Sequence, residues 1–68
     1  MTTEEVNLLL ARLNLHQVLH DMDNNDAAVA DLHRYYGYRF RTAGKQYDWY
    51  TKKSYSITDI EALIRTRG

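Results

Sequence analysis

Apolar residues recur at helical spacing over the first third of the chain, and they fall into two sets. Leu8, Ala11, Leu15, Val18, Leu19 and Met22 lie on one stripe. Val6, Leu9, Leu10 and Leu13 form a second stripe, roughly opposite the first at about 100° per residue. Read as one long helix from Glu4 to about His20, this segment has two apolar faces and needs two neighbours. Either the helix is buried on both sides within its own domain, or the face of Val6, Leu9, Leu10 and Leu13 docks on a partner, such as a second copy in a homodimer. The start is marked by Thr2-Thr3-Glu4-Glu5, where a Thr with Glu three residues later satisfies two orphan amides reciprocally.

The polar run Asp21-Met22-Asp23-Asn24-Asn25-Asp26 breaks the pattern, since Asn and Asp favour turns and caps. Asp23 or Asn25 is placed to cap a second helix from about Asp26 to Tyr36, with Val29, Leu32 and Tyr36 inward and Gly37 ending it. Alternation with period two follows. Tyr38, Phe40 and Thr42 face one way against Arg39 and Arg41, and Tyr47, Trp49 and Thr51 face one way against Gln46, Asp48 and Tyr50. Two such runs joined through Ala43-Gly44-Lys45 predict a β-hairpin, its apolar face carrying Tyr38, Phe40, Tyr47 and Trp49. Lys52-Lys53-Ser54 then reads as a solvated loop. Ser56 or Thr58, with Asp59 or Glu61 three residues on, caps a last helix with Ile57, Ile60, Leu63 and Ile64 inward; Arg65 and Arg67 suit its negative end. The expected fold is α+β: a long N-terminal helix, a second helix, a two-stranded antiparallel hairpin and a short C-terminal helix, in a single small domain over residues 1–68.

Composition narrows the function. At 68 residues without cysteine, disulfides and thiolate metal sites are excluded, and small domains of this kind often depend on oligomerisation or very good packing. No apolar run approaches the roughly 20 residues of a membrane span, and the N-terminus lacks the pattern of a signal peptide, so a soluble cytoplasmic protein is expected. The zero net charge hides a division. Residues Met1 to Leu32 carry six acids against Arg12 alone, whereas His33 to Tyr55 holds six of the nine Lys and Arg, all six Tyr, and the single Phe and Trp, against one acid, Asp48.

Catalytic and metal signatures fail one by one. His16 and His20 have the spacing of a zinc-protease helix, but Gln17 stands where the general-base Glu is required. Asp21-x-Asp23-x-Asn25 starts like a calcium loop, but Asp26 replaces the obligatory Gly and Leu32 the bidentate Glu. No phosphate-binding Gly-rich loop or nucleophile elbow is present. No enzyme, metal or cofactor is therefore expected. What remains is the basic aromatic stretch, in which Arg and Lys neutralise phosphates while Tyr bonds phosphate oxygens or stacks on bases. The expected function is that of a small, non-enzymatic DNA-binding accessory or regulatory protein. Arg34, Arg39, Arg41, Lys45, Lys52 and Lys53 would contact phosphates of double-stranded DNA, with Tyr50 an exposed aromatic. The alternative is a protein-binding module using the same aromatic surface, since Tyr, Trp and Arg are enriched at binding hot spots.

Residues 37–64, through Gly37-Tyr38-Arg39-Phe40, the Gly44 to Trp49 wing and the helix Ser56 to Ile64, resemble the wing and following helix of MerR- and excisionase-type winged-helix proteins. The resemblance implies that His33 and Arg34 lie on a recognition helix in the major groove, with Arg39, Arg41 and Lys45 on or near the wing. The same order of helix, hairpin and helix is similar to small phage head-completion proteins, which keeps an assembly role among the alternatives; a small inhibitor docking its aromatic surface on a host protein is a further one, since Tyr, Trp and Arg are enriched at binding hot spots.

Overall fold

The computed structural model describes residues 1–66; Arg67, expected at the negative end of the last helix, lies outside the described residues. The architecture is α+β, with helices first, a two-stranded antiparallel hairpin, and a short C-terminal helix. The elements are α1 (Thr3–Arg12), α2 (His16–His20), α3 (Asn25–Ala43), β1 (Gln46–Asp48), β2 (Lys53–Tyr55) and α4 (Ile57–Thr66).

The long N-terminal helix is corrected to two. Asn14 adopts the left-handed conformation, φ 60°, which Asn tolerates better than most residues. Its N–H bonds to the Ala11 carbonyl at 3.1 Å and that of Leu15 to the Leu10 carbonyl at 2.9 Å, the paired bonds of a Schellman termination. The chain turns there, and the Gln17 N–H at the start of α2 is met by the Tyr36 hydroxyl at 3.0 Å. The break explains the two apolar stripes. Val6, Leu9, Leu10 and Leu13 from α1 and Leu15, Val18 and Met22 from around α2 all enter one core. The four residues considered for a dimer or partner face are thus the chain's own interior and are not open to a second copy, whereas Leu8, from the other stripe, is 53% exposed.

The second helix is also longer than its sequence punctuation implies. Asn24, rather than Asp23 or Asn25, caps it by accepting the Ala27 N–H at 3.2 Å. It passes through Gly37 and stops at Gly44, whose φ of 80° is the conformation glycine takes without a Cβ penalty. The expected strand Tyr38–Thr42 is therefore helical. Its five-residue alternation competes with a longer register, Ala28, Leu32, Tyr36 and Phe40, at four-residue intervals. Continuing the helix buries Phe40, which is worth about 2 kcal/mol or more and outweighs the roughly 1 kcal/mol cost of an interior glycine.

The hairpin accordingly shifts toward the C-terminus. Gln46 pairs with Tyr55, Tyr47 with Ser54 and Asp48 with Lys53, so the expected loop at 52–54 is partly strand. Its faces also differ from expectation. Tyr55 and Asp48 point inward, while Tyr47 and Trp49 are exposed, as is Tyr38 on α3. The last helix begins as expected: the Ser56 N–H donates to Asp59 at 3.0 Å and the Asp59 N–H to Ser56 Oγ at 3.1 Å. Ile60 and Ile64 fill the core beside Leu32, and His33 on α3 meets Glu61 on α4 at 2.8 Å.

Candidate functional site

The hairpin turn, Trp49 to Lys52, is built outward from one buried carboxylate. Asp48 is 2% exposed and accepts bonds from Arg12 Nε and Nη2, both at 2.9 Å, across from α1. Its Oδ2 also accepts from the Thr51 hydroxyl at 2.8 Å and the Thr51 N–H at 3.3 Å. The Asp48 carbonyl takes the Lys52 N–H at 2.7 Å, and Lys52 closes the turn at φ 57°. Thr51 and Tyr55 share a hydroxyl contact at 3.2 Å. The Arg12 guanidinium, reinforced by Thr51 and opposed by burial, holds the Asp48 carboxyl at a pKa of about 2.

With backbone and Asp48 committed inward, the turn's large side chains are forced out. Trp49 is 80% exposed and Tyr50 79%. Tyr47 packs across Trp49 with ring centroids 4.6 Å apart at 72°, an edge-to-face pair. The Arg12 guanidinium lies 4.7 Å from the Tyr50 ring centre, so the residue that anchors Asp48 also positions Tyr50. Beside Tyr50 is a shallow groove of about 160 Å³, lined by Met1, Glu5, Leu8, Arg12 and Thr51.

A second exposed feature runs along α3. Arg34 and Arg41 are seven residues apart, two helical turns, and so share one line of the helix with Tyr38 beside it. Arg34 sits 5.9 Å from the Tyr35 ring centre and Arg41 5.7 Å from that of Tyr38. Lys45 follows the helix end and bears electrostatically on Asp59, and Lys52 and Lys53 are exposed at the turn.

Of the seven expected contact residues, the structure exposes Arg34, Arg41, Lys45, Tyr50, Lys52 and Lys53. Arg39 is the exception. It points inward, donating to the Leu13 carbonyl at 3.0 Å and Gln46 Oε1 at 3.1 Å, with the Tyr36 ring 5.6 Å away. Asp48, the one acid of the stretch, is buried against Arg12 and does not offset the exposed bases. Sequence reasoning misses Tyr38, Tyr47 and Trp49 as surface residues, because their alternation predicts a core-facing sheet, and it gives Tyr35 no role. The signal that places Tyr38 outside is its position two residues from both Tyr36 and Phe40 on a helix, where i and i+2 do not share a face.

His20 Nδ1 lies 3.1 Å from Asp21, and no group of three or more potential ligands among the described residues is placed to hold a metal ion. The Asp21 carboxyl, then burial, raises Asp31 from its ordinary value, while Asp21 is lowered. No helix among the described residues is long and apolar enough to cross a membrane. The chain matches no protein-family profile, no curated protein and no solved structure.

Proposed function

We propose that this chain is a small, non-enzymatic DNA-binding accessory or regulatory protein of the cytoplasm, meeting a duplex through the exposed ridge of α3 and the hairpin turn. The observation that carries this is the pairing of Arg34 and Arg41 on one exposed line of a 19-residue helix, each beside a tyrosine ring. A major groove about 12 Å wide admits such a helix. The order supports it too: α2, a four-residue turn at 21–24, α3, a hairpin and α4 is the order of a winged helix. Charge is also distributed unevenly along α3. Asp26 and Arg41 are separated by about 22 Å of helix, at 1.5 Å per residue, more than twice the Debye length of about 8 Å at physiological salt. Asp26 therefore leaves the field of Arg41 largely intact, whereas Arg34, one turn from Asp31, is partly offset by it.

The test is anisotropy of a labelled random duplex at low and moderate salt. Binding should weaken steeply with salt, and Arg34→Glu with Arg41→Glu should flatten the log–log slope by about two units, since each phosphate contact contributes about 0.9. Absence of binding at low salt, or binding indifferent to that double change in a folded protein, rejects the proposal. A protein partner is the second reading, favoured by Leu8 and Tyr50 flanking one groove. Such a partner would cover apolar surface and show little salt dependence.

A further inference from the structure

We infer that the hairpin turn is a stacking platform for single-stranded DNA, with Trp49 and Tyr50 taking unpaired bases and Lys52 and Lys53 the flanking phosphates. This rests on the DNA-binding reading above and assigns the hairpin-turn part of that contact to a different form of the ligand.

An indole is among the costliest side chains to leave in water, and this one is 80% exposed although the preceding residue, Asp48, is buried. The exposure is imposed by the turn. Asp48 is fixed by four hydrogen bonds from Arg12 and Thr51, and the Lys52 N–H closes on its carbonyl, so the backbone between them has no freedom to fold Trp49 inward. Tyr47 leans across Trp49 at 72° and restricts it further, while most of the indole stays open to solvent. Tyr50 is held from one side by Arg12 and is equally open. A preorganised pair of aromatic side chains loses little conformational freedom when a flat ligand settles on it.

The chemistry of that ligand follows from the neighbours. Lys52 and Lys53 are exposed and adjoin the aromatics, so the occupant carries negative charge as well as flat apolar rings. Bases joined by phosphates meet both conditions. In a duplex the base faces are covered by stacked neighbours and only groove edges are offered, which is the geometry that suits the α3 ridge. In a single strand the faces are open, and every base has one, so such contacts tolerate sequence. The turn and the ridge therefore suit two forms of the same polymer, as in a protein that holds a locally opened duplex.

Trp49 is the single tryptophan of the chain, so its fluorescence reports on this turn alone. Titration of the full chain with an oligothymidylate should quench Trp49 emission. Trp49→Ala should weaken binding of the labelled oligomer about tenfold, Trp49→Phe should retain most of the affinity, and Lys52→Glu with Lys53→Glu should remove the salt-sensitive part. Because these side chains are exposed, all variants should keep the far-UV spectrum and melting temperature of the parent. Arg34→Glu with Arg41→Glu serves as the counter-variant, losing the duplex while still showing quenching by the oligomer. Duplex binding with no Trp49 response to the oligomer overturns the stacking platform and leaves the proposed function standing. Quenching without duplex binding leaves the platform and removes the ridge. Equal quenching by duplex and single strand, or an unchanged affinity in Trp49→Ala, also overturns it.

Discussion

Arg12 and Asp48, 36 residues apart, are joined by two parallel bonds of 2.9 Å, and this fork ties the end of the first helix to the first strand of the hairpin. The two partners are unequally placed: the Asp48 side chain is 2% exposed and that of Arg12 30%. Removing one is therefore not equivalent to removing the other. Arg12→Ala strands a buried carboxylate with only Thr51 for company and should cost about 3 kcal/mol or more. Asp48→Asn removes the buried charge, keeps an acceptor for Thr51 and lets Arg12 turn to water, so about 1–2 kcal/mol is expected. Urea denaturation of the two variants checks the order, and a larger loss in Asp48→Asn would contradict it.

The same fork gives acid sensitivity a sign. Asp48 has a pKa of about 2 in the folded chain, chiefly because of Arg12, against about 3.9 unfolded. A depressed carboxylate contributes stability that is full above its unfolded pKa and lost as the pH falls. The window is therefore from about pH 4 down to about 2, and the contribution about 2 kcal/mol. Melting temperatures of the parent should fall across that window more steeply than those of Asp48→Asn. Parallel curves would show that the fork carries no linkage.

Asp31 should behave in the opposite sense. Its Oδ2 is buried without a hydrogen-bond partner, and the neighbouring Asp21 carboxyl, with burial, raises its pKa. A raised carboxyl stabilises the fold while protonated and loses that contribution as the pH rises through the folded value. The charged groups bearing on it are Asp21, Arg34 and His20. Asp31→Asn keeps a donor toward Asp21 and has no proton to lose. The variant should gain stability relative to the parent as the pH is raised above the ordinary carboxylate range, as read by thermal melts. A constant difference across pH would mean that Asp31 is not raised in the folded chain.

Local chemistry is where the fold is legible in the sequence. Thr2 with Glu5 and Ser56 with Asp59 each close a reciprocal cap over three residues, and both helix starts follow from residue type alone. The two apolar stripes are legible as well, but they are the mark of a change of direction at Asn14 rather than of one helix with two faces. Gly37 misleads because a helix that gains Phe40 for the core tolerates a glycine, and the period-two alternation that follows is too short to outweigh the four-residue register running through it. In the candidate site, exposure of Lys45, Tyr50, Lys52 and Lys53 follows from their setting around a turn. The fates of Arg39 and Asp48 do not, because their partners, Leu13 and Arg12, lie 26 and 36 residues away and only the tertiary fold brings them near.

Gly37, expected to end the helix, and Gly44, which does end it, are told apart by one substitution each. A Cβ at Gly37 meets nothing within 4 Å, and its backbone is ordinary helix, so Gly37→Ala should stabilise by about 0.5–1 kcal/mol. Gly44 is equally open in space but has φ +80°, and Gly44→Ala should destabilise by about 1 kcal/mol. Chemical denaturation gives both values. A helix that ended at Gly37 would reverse the first sign, because a glycine terminating a helix in the left-handed conformation resists alanine.

Arg39 and Arg41 are neighbours on one helix with opposite duties. Arg39 supplies a charged donor to the Leu13 carbonyl, just where α1 runs out of helical partners, and bridges to Gln46 at the start of β1. Bonds of that kind contribute about 1.5–3 kcal/mol, so Arg39→Ala should lower stability by an amount of that order. Arg41 faces solvent beside Tyr38, and Arg41→Ala should change stability by no more than about 0.5 kcal/mol. On duplex DNA the ranking should invert: Arg41→Ala reduces the salt slope by about 0.9, while Arg39→Ala, measured where it is still folded, leaves the slope unchanged. Denaturation and salt-dependent anisotropy on the same two variants thus separate a residue that holds the ridge in place from one that would use it. A loss of slope in Arg39→Ala without loss of stability would mean that Arg39 leaves Leu13 to reach the duplex.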